Sequence, residues 1–225
     1  MKRYGVLRVL LAALLTALLT TFTQFALANP LKIEHIANAG VMITSGDRVV
    51  LIDAISADNK YYNTTSEKDF QLMLASRAEV ALATHGHSDH YSAQRVSEFL
   101  NQSPGTLFIS TPQVLESLAT TVRKDQVETA YLSGFETKKF THKDISITAF
   151  HFPHVGAKPE VDKFSNYAYL VSMNGWNLLH LGDAHVDLGR IDRLELAKLN
   201  VDVTLLPAWV PEEEGGIELV KSLNL

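Results

Sequence analysis

Short apolar runs separated by turn-forming residues recur along the chain from residue 29 onward. The run Ile145–Phe152 alternates apolar and polar positions, with Ile145, Ile147 and Ala149 on one face, as in a half-buried strand. Asn174-Gly175 stands between two such runs and is typical of a tight hairpin turn. The pattern predicts strands at Lys32–Ile36, Val41–Thr44, Val49–Ile52, Val80–Thr84, Leu107–Ser110, Ile145–Phe152, Tyr167–Met173, Asn177–Leu181 and Val201–Leu206.

Helical segments are predicted between these strands. Ser66 begins one helix, with Asp69 three residues later forming a capping box, and Thr111-Pro112 begins another. Further helices are predicted at His90–Leu100, Leu188–Leu199 and Gly216–Leu223. Because strands and helices mingle in both halves without a linker or repeat, we predict one domain over residues 29–225. Its class is α/β or α+β with a mixed sheet.

Residues 1–28 have the layout of a secretory signal peptide. A start with three basic residues precedes the apolar run Val9–Leu19, and Ala26–Ala28 then offers a small-residue cleavage site. The apolar run is shorter than the roughly 20 residues that a membrane-spanning helix needs. We therefore predict cleavage before Asn29 and a periplasmic or secreted protein with no stable membrane insertion. The alternative is an uncleaved membrane anchor.

The 225-residue chain has no cysteine, which excludes a disulfide framework, a thiolate nucleophile and a cysteine-ligated metal site. The formal net charge is −5, and it becomes −8 once the three basic residues of the leader are removed. The acidic net charge argues weakly against nucleic-acid binding, which usually needs a basic face. We therefore expect a small-molecule substrate and no nucleic-acid partner, while the composition leaves the oligomeric state open.

Three of the nine histidines lie in the heptapeptide Thr-His-Gly-His-Ser-Asp-His, which follows a predicted strand. Residues two apart in extended backbone point the same way, so His85 and His87 can bind one ion together. Ser88 or Asp89 is expected to begin the next helix, which turns Asp89 and His90 toward a second position. Imidazole with carboxylate suits one or two Zn²⁺ ions, with Fe or Mn as alternatives. Surface or capping histidines are disfavoured, because capping needs one polar residue rather than four.

This motif, His-x-His-x-Asp-His after a strand, resembles that of the metallo-β-lactamase superfamily of metal-dependent hydrolases. The resemblance extends over nearly all of residues 29–225 and is greatest to the lactonase-like and phospholipase-like branch. It implies an α+β fold, a four-layer αββα sandwich with metals at one edge between two sheets. It also implies that Asp53, which ends the opening hairpin, lies behind the metal loop and that Asn38 lines the site.

The resemblance implies two further metal ligands. His154, just past a mid-chain strand, is preferred to His151 as the third histidine, and His151 is expected to orient a ligand or touch the substrate. Asp183 fits the bridging carboxylate, although a Gly-Asp pair alone is typical of a turn. His185 can reach a substrate, with a solvated loop position as the preferred interpretation. Trp209 either walls a pocket or is exposed after a buried strand.

The family pattern breaks near the C-terminal end. Relatives carry another strand with a last histidine for a second metal, whereas no histidine follows His185 here. The resemblance therefore implies a C-terminally shortened sandwich. The first site keeps its three histidines, while the second keeps Asp89, His90 and Asp183 and lacks one ligand.

Two functions follow. The favoured one is an exported metal-dependent hydrolase, with zinc as the favoured ion. The metal lowers the pKa of bound water to about 7, generating hydroxide that attacks an ester, lactone, amide or phosphodiester bond. Asp89 is the expected catalytic residue, because it would hold and orient that water. The alternative is a metal-binding protein of the same fold with little or no catalysis, because the last ligand histidine is missing.

Overall fold

Two β-sheets face each other in this computed structural model, which describes residues 29–57, 60–156 and 165–223. The predicted signal peptide, residues 1–28, lies outside the described residues. The first sheet pairs its strands in chain order: β1 Leu31–His35, β2 Val41–Ser45, β3 Arg48–Ile52, β4 Val80–Leu82, β5 Leu107–Ser110 and β6 Val127–Thr129. Strands β1 to β3 are antiparallel, whereas β3 to β6 are parallel because helical crossovers connect them.

The second sheet has the order β11-β10-β9-β8-β7. Its strands are β7 Thr137–His142, β8 Ile145–Phe152, β9 Asn166–Met173, β10 Trp176–His180 and β11 Val203–Leu205. Neighbours are antiparallel except β10 and β11, which are parallel. Asn174 and Gly175 join β9 to β10 with φ angles of 49° and 86°. Two left-handed residues are what a tight hairpin turn needs, so the predicted turn is confirmed.

Helices cover the outer face of each sheet. They are α1 Glu67–Ser76, α2 Ala93–Gln102, α3 Pro112–Glu116, α4 Leu188–Arg193 and α5 Gly216–Ser222. Phe70, Phe99 and Val114 from the first three helices pack with Leu51 and Phe108 of the first sheet. In the described part of the chain, no helix has both the length and the apolar character needed to cross a bilayer.

The two remaining helices pack on the second sheet. Ile191 and Leu219 of α4 and α5 share a core cluster with Leu170 and Leu179. Between the sheets, a separate cluster includes Val50 and Ile52 of β3 and Tyr169 of β9. Because successive strand residues point to opposite faces, each sheet contributes to an inner and an outer core. The predicted four-layer αββα sandwich is thereby confirmed.

The helix after the histidine motif begins later than predicted. It starts at Ala93, with the Ser92 hydroxyl accepting a hydrogen bond at its N-terminus, rather than inside the motif. Tyr91 forms an isolated parallel bridge with Ile55, and Ser92 N donates to Ile55 O at 3.1 Å. After a turn at Ser88–His90, this pairing keeps the backbone extended at Tyr91 and Ser92, so the helix cannot begin before Ser92.

Two other parts of the chain also differ from the sequence prediction. The helix predicted over Leu188–Leu199 ends at Arg193, and a 3₁₀ turn follows at Leu196–Lys198, because Glu195 adopts a left-handed conformation with φ 52°. Strands β6 and β7 were not predicted. Only Phe140 is buried in β7, since this edge strand presents mostly polar side chains to solvent and lacks an apolar run.

Candidate metal centre

The histidine-rich loop directly follows β4. His85 is completely buried, and its Nε2 lies 3.0 Å from Nδ1 of the half-buried His87. His85 Nδ1 lies 3.0 Å from Thr84 Oγ1, and that hydroxyl donates to Asp53 Oδ2 at 2.7 Å. Because the hydroxyl proton is already given to Asp53, His85 Nδ1 carries a hydrogen and Nε2 presents its lone pair.

Asp53 fixes this loop from behind, where the family resemblance places it. Its buried carboxylate accepts hydrogen bonds from Thr84 N and Thr84 Oγ1, both at 2.7 Å, and from His90 Nδ1 at 2.8 Å. Asp53 itself adopts a left-handed conformation with φ 51°. Three bonds to one carboxylate hold both ends of the motif, so the two sides of the loop cannot move independently.

The second sheet contributes the loops that follow β8 and β10. His154 and Ala184 form an isolated antiparallel bridge, and Val155 N donates to Asp183 O at 2.8 Å. This short pairing places His154 and Asp183 side by side although 28 residues separate them in sequence.

Asn166, the first residue of β9, holds the Asp183 loop in place. Its side chain accepts from Asp183 N and donates to Leu181 O, both at 3.0 Å, and it is fully buried. Gly182 has φ +57°, and a Cβ there would lie 2.7 Å from Thr84 Cβ and closer still to Asn166 Oδ1. Sequence analysis did not identify Asn166. The signal in the sequence that could have found it is a side-chain amide at the first position of a strand whose other residues are mostly apolar.

Four side chains direct ligand atoms into one small volume. These atoms, from His85, His87, His154 and Asp183, all lie within 4.8 Å of one another. His154 Nδ1 lies 2.7 Å from Val155 O, so it carries the hydrogen and Nε2 presents its lone pair. That Nε2 is buried without a hydrogen bond to any residue the structure describes, and it lies 3.5 Å from Asp183 Oδ2. A buried lone pair beside a carboxylate fits a cation.

Asp89 and His90 border this group on the side where the resemblance places a second metal. His90 Nε2 lies 3.2 Å from Asp183 Oδ1 and 3.6 Å from Asp89 Oδ2, and it too is buried without a hydrogen bond among the described residues. Asp89 Oδ2 accepts a hydrogen bond from Asn38 Nδ2 at 2.8 Å. Asn38 therefore lines the site through Asp89, the predicted catalytic residue.

Burial and pairing set the charges of the site. Burial lowers the pKa of His85 to about 3, so this imidazole is neutral. Burial acts to lower the pKa of His90, but Asp53 and Asp183 outweigh it and raise that pKa to about 10. Burial also acts to raise the pKa of Asp183, yet His154 and His90 hold it well below its usual range. Neutral His85 and ionised Asp183 are in the forms that ligate a metal, whereas His90 would have to lose a proton to do so.

Two predicted site residues lie outside the group. His151 is on β8, with its ring edge-on to Tyr167 at a centroid distance of 6.4 Å. His185 has 55% of its side chain exposed, and its Nδ1 lies 3.6 Å from Glu213 Oε2. Of the two histidines near the end of β8, the structure thus brings His154, and not His151, to the other ligands.

A groove of about 660 Å³ opens beside the site, with Asp89 and Asp183 in its lining. Residues just before β2 form one wall, and residues at the end of β11 and after it form the other. Trp209 belongs to this second wall. Of the two positions that the sequence left open for Trp209, the structure therefore shows the one in which it walls a pocket. A molecule in the groove would therefore contact Asp183, one of the four side chains of the candidate metal centre.

Two facing sheets flanked by helices, with a histidine and aspartate cluster at one edge, define the metallo-β-lactamase class of fold. The chain belongs to this superfamily: the model of the beta-lactamase superfamily domain matches residues 32–225. No curated protein sequence matches the chain significantly.

Solved structures with this fold share little sequence with the chain. A possible metal-dependent hydrolase from Veillonella parvula is 13% identical with a TM-score of 0.57, over 79% of this chain and 71% of that one. CmlA, a diiron β-hydroxylase from Streptomyces venezuelae, is 14% identical with a TM-score of 0.55, over 78% and 34%. Igni18, a metallo hydrolase from Ignicoccus hospitalis, is 15% identical with a TM-score of 0.50, over 76% of this chain. The match spans 65% of the length of Igni18.

Proposed function

We propose that this protein is an exported metal-dependent hydrolase, with zinc as the favoured ion, that cleaves an ester, lactone, amide or phosphodiester bond. One observation carries the proposal: three histidines and Asp183 direct ligand atoms into one volume. The hydrogen-bearing nitrogens of His85 and His154 are tied to protein oxygens, so their other nitrogens are already oriented for a cation. Membership of the superfamily supports the same class of chemistry.

The side chains of the site divide the work of hydrolysis. When bound, a divalent cation supplies a Lewis acid and lowers the pKa of a coordinated water to about 7. His85, His87, His154 and Asp183 would hold it. Asp89, anchored by Asn38 and lining the groove, accepts the proton of the attacking water. The water oxygen bonds to the acyl carbon or phosphorus, the bond to the leaving group breaks, and the leaving atom takes the proton from Asp89.

Zinc is favoured by the ligand set, which contains imidazole and carboxylate and no thiolate. The same ligands accept iron or manganese. CmlA shares this fold and is a diiron β-hydroxylase, so the fold is compatible with more than one metal. Elemental analysis of the purified protein therefore comes before any activity assay.

The direct test compares two histidine substitutions. His154→Ala removes a nitrogen that no other group in the described site replaces, so the protein should lose stoichiometric metal and turnover. His142→Ala is the matched control, because His142 pairs with Ile145 at the end of β8 remote from the site. It should keep both properties. Wild-type protein without stoichiometric zinc, iron or manganese, or a His154→Ala variant that retains full metal content, would contradict the proposal.

A second candidate function is metal binding with little or no catalysis. It is favoured by the second position, where Asn38 donates a hydrogen bond to Asp89 and so occupies one of its carboxylate oxygens. This candidate predicts stoichiometric metal without turnover of esters, lactones, β-lactams or phosphodiesters. Turnover that exceeds that of free metal and disappears in Asp89→Asn would exclude it.

We also propose a periplasmic or secreted location and a small-molecule substrate, with no nucleic-acid partner. The basic start, the apolar run and the Ala26–Ala28 site of the sequence support export. N-terminal sequencing of protein recovered from the periplasm or medium should begin at Asn29. Protein that begins at Met1 and stays in the membrane fraction would instead support the uncleaved anchor.

A further inference from the structure

The groove beside the metal centre has the size of a small-molecule site. Its volume of about 660 Å³ lies within the range of ligand pockets in proteins, which is roughly 300–1,000 Å³. Since Asp89 and Asp183 belong to its lining, a bound molecule can place one bond at the metal centre. The rest of that molecule lies against the walls. The chemistry of the walls therefore selects the substrate.

The walls away from the metal centre are largely apolar. The apolar lining residues are Ala39, Val41, Leu205, Leu206, Pro207, Ala208 and Trp209. Leu206 and Trp209 also pack against the core cluster of the second sheet, so protein supports them from behind. Val210 is completely buried and its N–H donates to Pro207 O at 3.1 Å, which closes the turn that carries Trp209. These side chains form a wall that is positioned before a ligand arrives.

The charges of the groove disfavour an anionic ligand. Among the described residues that line it, none is a lysine or an arginine, whereas Asp89 and Asp183 are acidic. A phosphate or carboxylate group along the walls would have no lysine or arginine of this lining to pair with. An uncharged chain needs no cationic partner, and burying it against the apolar wall is favourable.

We propose that the substrate is an uncharged carboxylic ester, cyclic or open-chain, whose apolar chain lies against Leu206 and Trp209. The inference rests on the proposed hydrolase function. Water adds its oxygen to the ester carbonyl carbon, the acyl C–O bond breaks, and the products are a carboxylic acid and an alcohol. Leu206 and Trp209 determine specificity, and neither takes part in bond cleavage.

A kinetic test uses the metal-loaded protein and nitrophenyl esters of increasing acyl length. From acetate through butyrate to hexanoate, kcat/KM should rise up to about fourfold for each methylene that the groove buries, equivalent to about 0.8 kcal/mol. The hexanoate should be preferred to the mono-adipate ester, which has the same chain length and ends in a carboxylate. Trp209→Ala should flatten the dependence on chain length, and Trp209→Phe should restore part of it. Tyr131→Ala, at a surface position 81% exposed, should leave it unchanged.

A binding test works without metal and without turnover. Trp209 and Trp176 are the two tryptophans, so Trp176→Phe leaves Trp209 as the reporter in the groove. In metal-free protein of this background, methyl ketones should quench its fluorescence with a Kd that falls with chain length, and keto acids of equal length should bind more weakly. Leu206→Ala should weaken ketone binding, whereas Leu72→Ala, at an exposed position on α1, should not.

The two tests separate the inference from the function on which it rests. Ketone binding that is independent of chain length, or keto acids that bind as tightly as ketones, would overturn the substrate assignment even if the protein hydrolyses other bonds. Chain-length-dependent ketone binding without turnover of any ester would overturn the ester assignment, and a lack of turnover of amides and phosphodiesters as well would overturn the hydrolase function. The proposal is supported if kcat/KM for esters and affinity for ketones both rise with chain length, and if Trp209→Ala flattens the first dependence and Leu206→Ala weakens ketone binding.

Discussion

A single methyl group added at Gly182 should directly disturb the candidate metal centre. Gly182 is left-handed, with φ +57°, and an added Cβ would lie 2.7 Å from Thr84 Cβ and closer still to Asn166 Oδ1. Thr84 and Asn166 are both completely buried and hydrogen-bonded, so neither can move away freely. Gly182→Ala therefore adds backbone strain and steric crowding next to Asp183.

The size of the effect follows from these two contributions. A left-handed conformation costs an alanine about 1–2 kcal/mol, and forcing an extra carbon into a packed interior costs about 1–3 kcal/mol. Gly182→Ala should therefore lower the free energy of unfolding by about 2–5 kcal/mol. Gly134→Ala is the matched control, because Gly134 has φ +55° and no described atom lies within 4 Å of its added Cβ. Gly134→Ala should lower the free energy of unfolding only by the backbone contribution of about 1–2 kcal/mol.

Urea unfolding of the metal-free proteins measures both variants, and competition with a chelator measures their zinc affinity. Because Asp183 follows Gly182 directly, we also expect zinc affinity to fall about 10- to 100-fold in Gly182→Ala and to stay unchanged in Gly134→Ala. If the two variants unfold within about 0.5 kcal/mol of each other and bind zinc equally well, the packing of this loop does not position Asp183, and the reasoning fails.

Three further substitutions test the support of the site. Asn166→Ala leaves the Asp183 N–H and the Leu181 carbonyl without partners and should lower the free energy of unfolding by about 2–5 kcal/mol. Asn101→Ala, at an exposed position, should cost little. Equal urea midpoints for the two variants would refute this prediction. Asp53→Asn removes a charged acceptor of three hydrogen bonds, so elemental analysis should show reduced metal content, and full occupancy would contradict it. Asn38→Ala should keep the metal and lower kcat, because Asp89 loses its anchor; an unchanged kcat with unchanged metal would show that this bond has no role.

The metal loop was predictable because its information is local. His85, His87, Asp89 and His90 lie within six consecutive residues, so their residue types and spacing could be recognised from the sequence alone. Short-range turn chemistry also sufficed for the Asn174-Gly175 hairpin and for the helix beginning after Ser66, whose hydroxyl accepts from Asp69 N. The hairpin and the start of this helix matched prediction because each is stabilised by residues within a few positions of one another.

Other elements could not be read from local patterns. Strand β6 is three residues long, too short for a period of two to appear, and β7 lies at an edge where one buried side chain is enough. The late start of α2 results from the bridge between Tyr91 and Ile55, which are 36 positions apart. A helix boundary that depends on a distant strand has no signature in its own segment.

By itself, the sequence indicated a protein of mixed strands and helices with a histidine and aspartate motif after a buried strand, because alternation and spacing act over a few residues, and the resemblance of that motif narrowed the class to α+β. Only the tertiary structure decided that His154 rather than His151 joins His85 and His87, since the choice depends on a bridge to Ala184, 30 positions away. It also revealed Asn166, whose role comes from hydrogen bonds to a loop on another strand. Contacts between distant segments form only when the two sheets pack, so they leave no periodic trace in the chain.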